Sequence, residues 1–246
     1  MVGGGRHPRM ITVLADPGTL VAGTWLAVPE SESHHLRVRR AADGTEVRVL
    51  DGEGNIGSGV LGWNKKSAMV EIARVAAEPR PPELTLAVGA GDRDRLGWLA
   101  EKSAELGVTD LVPLETARTG GVATRLRGDQ LDRLQLRARE AIKQSGAAWA
   151  PRIHMLMALK ELVGRPAIGH RWVGLAGGAP APAMLDQEPM IVAIGPEGGW
   201  TDTEVQALTA AGYRATSFGP HVLRFETAAI AAAAVITSSR LRGSRD

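Results

Sequence analysis

The run Ile191-Val192-Ala193-Ile194-Gly195-Pro196-Glu197-Gly198-Gly199-Trp200 sets the architecture of this chain. An apolar stretch ends abruptly in a glycine-rich turn, as a buried strand does where it leaves a sheet. Thr201-Asp202-Thr203-Glu204 follows with capping-box spacing, so a helix begins there, with Thr201 as N-cap and Gly212 as its stop. Strand, glycine loop and helix in that order belong to an open parallel sheet, whose ligands bind beyond the carboxyl ends of its strands. Glycines at such a place let a ligand approach the main chain closely.

A second loop repeats the design. Ala215–Phe218 is a short strand, and Gly219-Pro220-His221-Val222-Leu223-Arg224-Phe225-Glu226-Thr227 leads into a helix rich in small residues, Ala228–Ala234. Alanine favours helix and permits close packing. That helix is either an interior element or one packed against a tightly wound loop and a partner subunit. Neither loop supplies the lysine and Ser/Thr of a triphosphate-binding loop, nor the G-x-G-x-x-G of a dinucleotide site. A neutral adenosine carrying a cationic sulfonium is compatible with Glu197, although the residues alone do not single it out.

Upstream, strands and helices alternate. Leu84–Val88 and Val108–Leu114 read as strands, and so do Arg171–Leu175 and Met190–Ile194. Leu96, Leu99, Ala100, Ser103 and Leu106 follow helical spacing with Gly107 as the stop, and Leu131, Leu134, Ala138, Ala141 and Ile142 mark a longer helix. This predicts a parallel sheet covered on both faces. Pro79-Arg80-Pro81-Pro82 cannot lie inside a helix or a central strand, so a linker is expected there. Before it the pattern is β: Thr45–Leu50 and Asn55–Leu61 flank the turn Asp51-Gly52-Glu53-Gly54, and Ala68–Val75 is a third strand. A short helix is expected over Ser33–Arg40. So small an all-β unit suggests a barrel.

The composition narrows the chemistry. The chain has 246 residues, no cysteine and a formal net charge of +2. Disulfides, thiolate metal sites and cysteine nucleophiles are therefore excluded, and a reducing, cytoplasmic location is expected. Met1–His7 lacks the apolar centre of a signal peptide and is expected to be a loose tail, and no apolar run approaches the roughly 20 residues that span a bilayer. Basic residues cluster at Arg37, Arg39 and Arg40, at Lys65 and Lys66, and at Arg93 and Arg95. Arg125 and Arg127 lead into a helix carrying Arg133, Arg137, Arg139 and Lys143. Such clusters contact phosphates or form a solvated face. Adjacent His34 and His35 point in different directions and cannot share a metal, so one is expected to pack and the other to touch RNA. Trp98 and the pair Met155 and Met157 are expected in the core.

Gly195-Pro196-Glu197-Gly198-Gly199 together with Leu223-Arg224-Phe225-Glu226-Thr227-Ala228 resembles the RsmE family, SPOUT-class methyltransferases acting on N3 of a uridine in small-subunit (16S) ribosomal RNA. His34-His35-Leu36-Arg37-Val38-Arg39 is similar to the family's N-terminal signature. Lys102–Val108 and Glu140–Gly146 resemble the first methyltransferase helix and the next. The resemblance spans nearly the whole chain. It departs at Ala90, Glu101, Ala147 and Phe225, where the family carries lysine, glutamine, arginine and threonine.

The resemblance implies an α/β protein: an N-terminal PUA-like β-barrel (residues 1–77) that binds RNA, and a C-terminal SPOUT α/β domain (83–246) with a trefoil knot. It implies S-adenosylmethionine (SAM) as cofactor, a homodimer, no metal, no membrane, and ribosomal RNA or the assembled small subunit as partner. The cofactor would lie against Leu175, Ala176, Gly177, Ile194, Gly195, Pro196, Glu197, Gly198, Gly199, Phe218, Gly219, Leu223, Arg224, Glu226, Thr227 and Ala228, with main-chain groups holding the adenine. Arg224 is the candidate for stabilising an anionic base, or else an ion-pair partner of Glu226 or Glu197. Glu197 is expected to tie its loop by accepting backbone N–H bonds. His35, Arg37, Arg39, Arg40, Arg95, Lys102 and Lys143 are candidate RNA contacts. The alternatives are an RNA-binding SPOUT-fold protein with another target nucleotide or no catalysis, and an unrelated nucleotide-dependent enzyme, which the missing lysine disfavours.

Overall fold

A computed structural model describes residues 10–119, 126 and 128–243. Met1–His7, Arg125 and Arg127 lie outside the described residues. The chain divides into two compact units. The first runs to Arg80 and also includes Ile142–Trp149, while the second holds Pro81–Ala141 and continues from Ala150.

The first unit is a five-stranded sheet in the order β1 (Ile11–Leu14), β3 (Glu46–Leu50), β4 (Asn55–Asn64), β5 (Ser67–Ala77), β2 (Trp25–Ala27). β1 joins β3 in parallel and the other pairs are antiparallel. Among the described residues β1 and β2 are the edges of this ladder. Neither edge strand was anticipated, because four and three residues are too few to show a period. Val13, Leu36, Val47, Val49, Leu61, Val70 and Ile72 form the core. Helix α1 (Glu30–Val38) adds Leu36 and begins earlier than the expected Ser33.

The returning segment 142–149 is stitched to this unit. Gly54 N–H donates to Ala148 O at 3.0 Å. The Trp149 indole N–H donates to Glu78 O and Pro79 O, both at 3.1 Å, and the Arg80 guanidinium lies 5.7 Å from the ring centroid. A Cβ at Gly54 would fall 2.4 Å from the indole, so only glycine admits Trp149.

The second unit is a seven-stranded sheet. Its path is β12 (Arg214–Ser217), β10 (His170–Pro180), β11 (Met190–Ile194), β6 (Leu84–Gly89), β7 (Asp110–Glu115), β8 (Arg152–Ile153), with β9 (Met157–Ala158) beside β7. Every pairing is parallel. β6 and β11 are buried along their whole length, as central parallel strands are. Their side chains alternate between two cores. Leu84, Leu86, Val88, Met190, Val192 and Ile194 meet α2 (Arg93–Glu105), α3 (Gly128–Ser145) and α6 (Phe225–Gly243) on one face. Ala87, Ile191 and Ala193 meet α4 (Leu159–Val163) and α5 (Asp202–Ala210) on the other.

The glycine stops and the capping box act where they were read, and Asp92 adds an N-cap that the sequence reading did not name. Asp92 caps α2 by accepting from Asp94 N at 3.0 Å and Arg95 N at 3.1 Å, and Gly107 and Gly212 take positive φ. Thr201 and Glu204 form the full capping box of α5. Three packing expectations are corrected. Trp98 is 42% exposed and Met155 77% exposed, so neither is core, although Met157 packs against the second face. His34 and His35 are both exposed, because α1 turns Leu36 inward instead.

At the carboxyl end of β6, Gly89 lies under the 195–196 turn: a Cβ there would sit 2.5 Å from Pro196 N. Gly89→Ala is expected to destabilise the second unit by about 1–3 kcal/mol, the cost of overpacking, read as a lower midpoint in urea denaturation.

Candidate active site

Three strands of the second unit end around one cleft. β10 contributes Gly174, Leu175 and Ala176, β11 and its loop contribute Ile194, Gly195, Pro196, Gly199 and Trp200, and β12 contributes Thr216 and Ser217. The second glycine loop and the start of α6 close it with Phe218, Gly219, His221, Val222, Leu223, Phe225 and Ala228. Its volume is about 670 Å³ including the open mouth. The position beyond the carboxyl ends of parallel strands is where such sheets bind ligands.

The backbone makes this shape possible. β10 pairs with β12 twice, with a register shift between Gly174 and Ala179 that bulges the intervening residues outward. Gly177 takes φ 78° in the bulge. A Cβ at Gly178 would lie 2.7 Å from Thr216 N, so β10 and β12 approach too closely there for a side chain. The Phe218 ring stacks 6.2 Å from Trp172.

The cleft is lined by main chain and apolar side chains. Its hydroxyls are spent internally: Thr216 donates to Arg214 O at 3.2 Å and Ser217 to Gly219 O at 2.8 Å. The Trp200 indole N–H is buried without a partner. A Cβ on Gly195 would lie 3.2 Å from it, so the missing side chain leaves the main chain open there.

Of the residues expected at the cofactor, Leu175, Ala176, Ile194, Gly195, Pro196, Gly199, Phe218, Gly219, Leu223 and Ala228 line this cleft. Gly177, Glu197, Gly198, Arg224, Glu226 and Thr227 do not. They belong to the same loops, beside the lining residues. His221, Val222 and Phe225 line it from within the expected second loop, and Gly174, Trp200, Thr216 and Ser217 line it unanticipated. Trp200 ends the decisive run and so had a signal; Gly174 and Thr216 come to the cleft together because they are register partners where β10 pairs with β12.

The charged residues are redistributed. Glu197 accepts no backbone N–H bond among the described residues. Its carboxylate lies where a Cβ of Gly91 would be, and 3.8 Å from Arg95 Nη1. Arg95 also stands 3.6 Å from Glu226, which is buried, with one carboxylate oxygen unpartnered. Arg95 therefore takes both glutamates considered as partners for Arg224. Arg224 is exposed, and its guanidinium has no ion pair among the described residues. The carboxylate that ties the glycine loop is Glu204. It accepts from Thr201 N at 2.8 Å, Thr201 Oγ1 at 3.0 Å and Ala117 N at 2.7 Å.

The candidate RNA contacts divide between the units. In the first, His35, Arg39 and Lys143 line a depression with Met10, Thr12, Arg48, Gln144, Ser145 and Gly146. Arg48 was not anticipated; it reaches this place from β3. Lys143 meets the buried Glu32 at 2.5 Å. The Arg37 guanidinium donates to Lys66 O, and Arg40 is exposed in a left-handed turn, φ 55°. In the second unit, Lys102 is held by Glu101 at 2.8 Å and Glu105 at 2.7 Å. Those hydrogen bonds push its pKa up. No group of three or more His, Asp or Glu suited to a metal occurs among the described residues. No helix there is long and apolar enough to cross a membrane.

A doubly covered parallel sheet with a main-chain-lined cleft at its carboxyl edge, attached to a small β unit, is the organisation of an RNA-modifying enzyme. The chain belongs to the RNA methyltransferase family: the RNA methyltransferase domain model matches residues 78–237, and an RNA methyltransferase PUA domain matches 28–72. It is 28% identical to the ribosomal RNA small subunit methyltransferase E of Synechocystis, over 90% of this chain and 75% of that one. It is also 28% identical to the Bacillus subtilis protein of the same name, over 90% and 93%. The crystal structure of that methyltransferase from Neisseria gonorrhoeae, bound to S-adenosyl methionine, superposes with a TM-score of 0.81 at 27% identity, covering 92% of this chain and 95% of that one.

The Glu204 tie generates a stability test. Glu204→Ala removes the acceptor of the Ala117 and Thr201 N–H groups and is expected to cost on the order of 2 kcal/mol, the scale for bonds to a charged acceptor. Chemical denaturation reads it as a lower midpoint with an unchanged slope.

Proposed function

We propose that the chain transfers the methyl group of SAM to N3 of a uridine in small-subunit ribosomal RNA, in the cytoplasm and as a homodimer. The observation that carries this is the cleft of main-chain atoms and apolar side chains, in a chain matched along its length by ribosomal RNA methyltransferases.

The residues present suit SAM. Adenine needs an apolar slot with hydrogen-bonding edges. Leu175, Ile194, Leu223 and Ala228 form apolar walls, and the main chain at Gly195, Gly199 and Gly219 supplies donors and acceptors. The unpartnered indole N–H of Trp200 is a further donor at the wall. When bound, SAM supplies an electrophilic methyl on a cationic sulfonium. Uridine N3 is a poor nucleophile while it keeps its proton, so the protein has to favour the base in its anionic form. Arg224, between the cleft-lining Leu223 and Phe225, is placed at the lip with its guanidinium turned to solvent. There it stabilises negative charge as it develops on the base. Most of the acceleration comes from holding N3 in line with the methyl group. In the family's fold this lip belongs to the trefoil knot, whose rigidity keeps Arg224 in place.

The first unit supplies RNA affinity. Arg39, Arg48 and His35 present cationic or titratable groups around one depression, a surface for phosphates whose contribution falls as salt rises.

Two measurements test this. Ribosomal RNA from a deletion strain should lack one methyluridine by mass spectrometry. The wild-type gene should restore it and Arg224→Ala should not, while purified Arg224→Ala keeps its SAM affinity within about twofold because the interaction belongs to the transition state. A methyl pattern untouched by the deletion contradicts the assignment. Arg39→Ala and Arg48→Ala should each weaken RNA binding and lower the salt slope by about one; an unchanged slope removes that face from the RNA contact.

A further inference from the structure

Resting on the SAM reading, we propose that Arg118 is a positioning residue that braces the Pro196–Trp200 loop as one wall of the cofactor cleft. Arg118 follows β7, in a turn that Thr119 closes: its Oγ1 donates to Thr116 O at 2.9 Å and accepts from Thr116 N at 3.0 Å. From that turn the Arg118 Nη1 group donates to Gly198 O at 2.5 Å and to Trp200 O at 3.4 Å. Neither carbonyl has another donor among the described residues. The aliphatic part of Arg118 lies flat on the loop: a Cβ at Gly198 would stand 3.2 Å from both Cβ and Cδ of Arg118. The neighbouring Ala117 N–H bonds Glu204, which also holds Thr201. The turn after β7 and the glycine loop are thus laced at both ends of the loop.

The loop needs an external brace. Gly198 and Gly199 restrict the backbone least of all residues, and the only main-chain hydrogen bond within the loop, among the described residues, joins Gly199 N to Pro196 O at 2.8 Å. Pro196, Gly199 and Trp200 nonetheless form a wall that must be in place before a ligand enters. A guanidinium suits the task because one terminal nitrogen carries two hydrogens in a fixed plane and reaches two carbonyls together. Arg118 does not line the cleft, so its effect on a ligand runs through the loop.

The test uses the full-length protein with Arg118→Ala and Arg118→Lys. Without ligand, hydrogen exchange in the peptide carrying Gly198–Trp200 should speed up at least about fivefold in Arg118→Ala and recover in part in Arg118→Lys, a lysine reaching the carbonyls as a point donor. With SAM, Arg118→Ala should raise both Kd and KM for the cofactor about tenfold while kcat at saturating SAM stays within about twofold, since a loop defect is overcome once the cofactor is bound. A purely structural arginine would instead lower the folded fraction and leave KM unmoved. Unchanged exchange in Arg118→Ala, or unchanged Kd and KM, overturns the brace. Altered exchange in a protein whose wild type takes up no SAM leaves the brace standing and overturns the SAM reading instead.

Discussion

Main chain packed on main chain at the carboxyl edge of the second sheet is the constraint from which the site follows. Gly89 lies under Pro196, Gly178 lies on Thr216, and Gly91 leaves room for the Glu197 carboxylate and the Phe225 ring, each approach too close for a Cβ. Strand ends brought this near leave little room for side chains in the cleft between them. Its recognition groups are consequently backbone amides and carbonyls, fixed by the sheet and not by rotamers. That suits a neutral aromatic base and ribose better than a phosphate, which would want the lysine these loops lack.

Charge is kept beside the cleft and not in it. Three glutamates of the two motif loops have different tasks. Glu204 is buried and fully engaged as a backbone acceptor. Glu197 and Glu226 share a single Arg95 at 3.8 and 3.6 Å. Arg95 faces those two carboxylates, and Arg224 has no carboxylate partner among the described residues. A guanidinium poised to meet a transient anion is of most use when no ground-state partner already satisfies it.

The first unit shows how a small sheet gains a functional face. Two very short edge strands and a returning segment complete it, and that segment brings Lys143 and Gln144 beside His35, Arg39 and Arg48. Each basic residue taken singly reads as a solvated surface charge. The depression they line together sets them apart from isolated surface charges.

Much was legible in the sequence because it depends on neighbours along the chain. The Thr201–Glu204 box, the glycine stops and the buried runs 84–88 and 190–194 are local matters of hydrogen bonding and periodicity, and the paired glycine loops located the cleft to within a few residues. What tertiary structure alone decided is direction and partnership. It turned Arg95 toward two glutamates, left Trp98 and Met155 in solvent, and brought Gly174, Thr216 and Trp200 to the cleft wall. It also joined 142–149 to the first unit and placed Arg118 across Gly198. These outcomes depend on pairs of residues as far apart as Arg95 and Glu226, and the spacing along a chain carries no information about which distant surface will meet a given side chain.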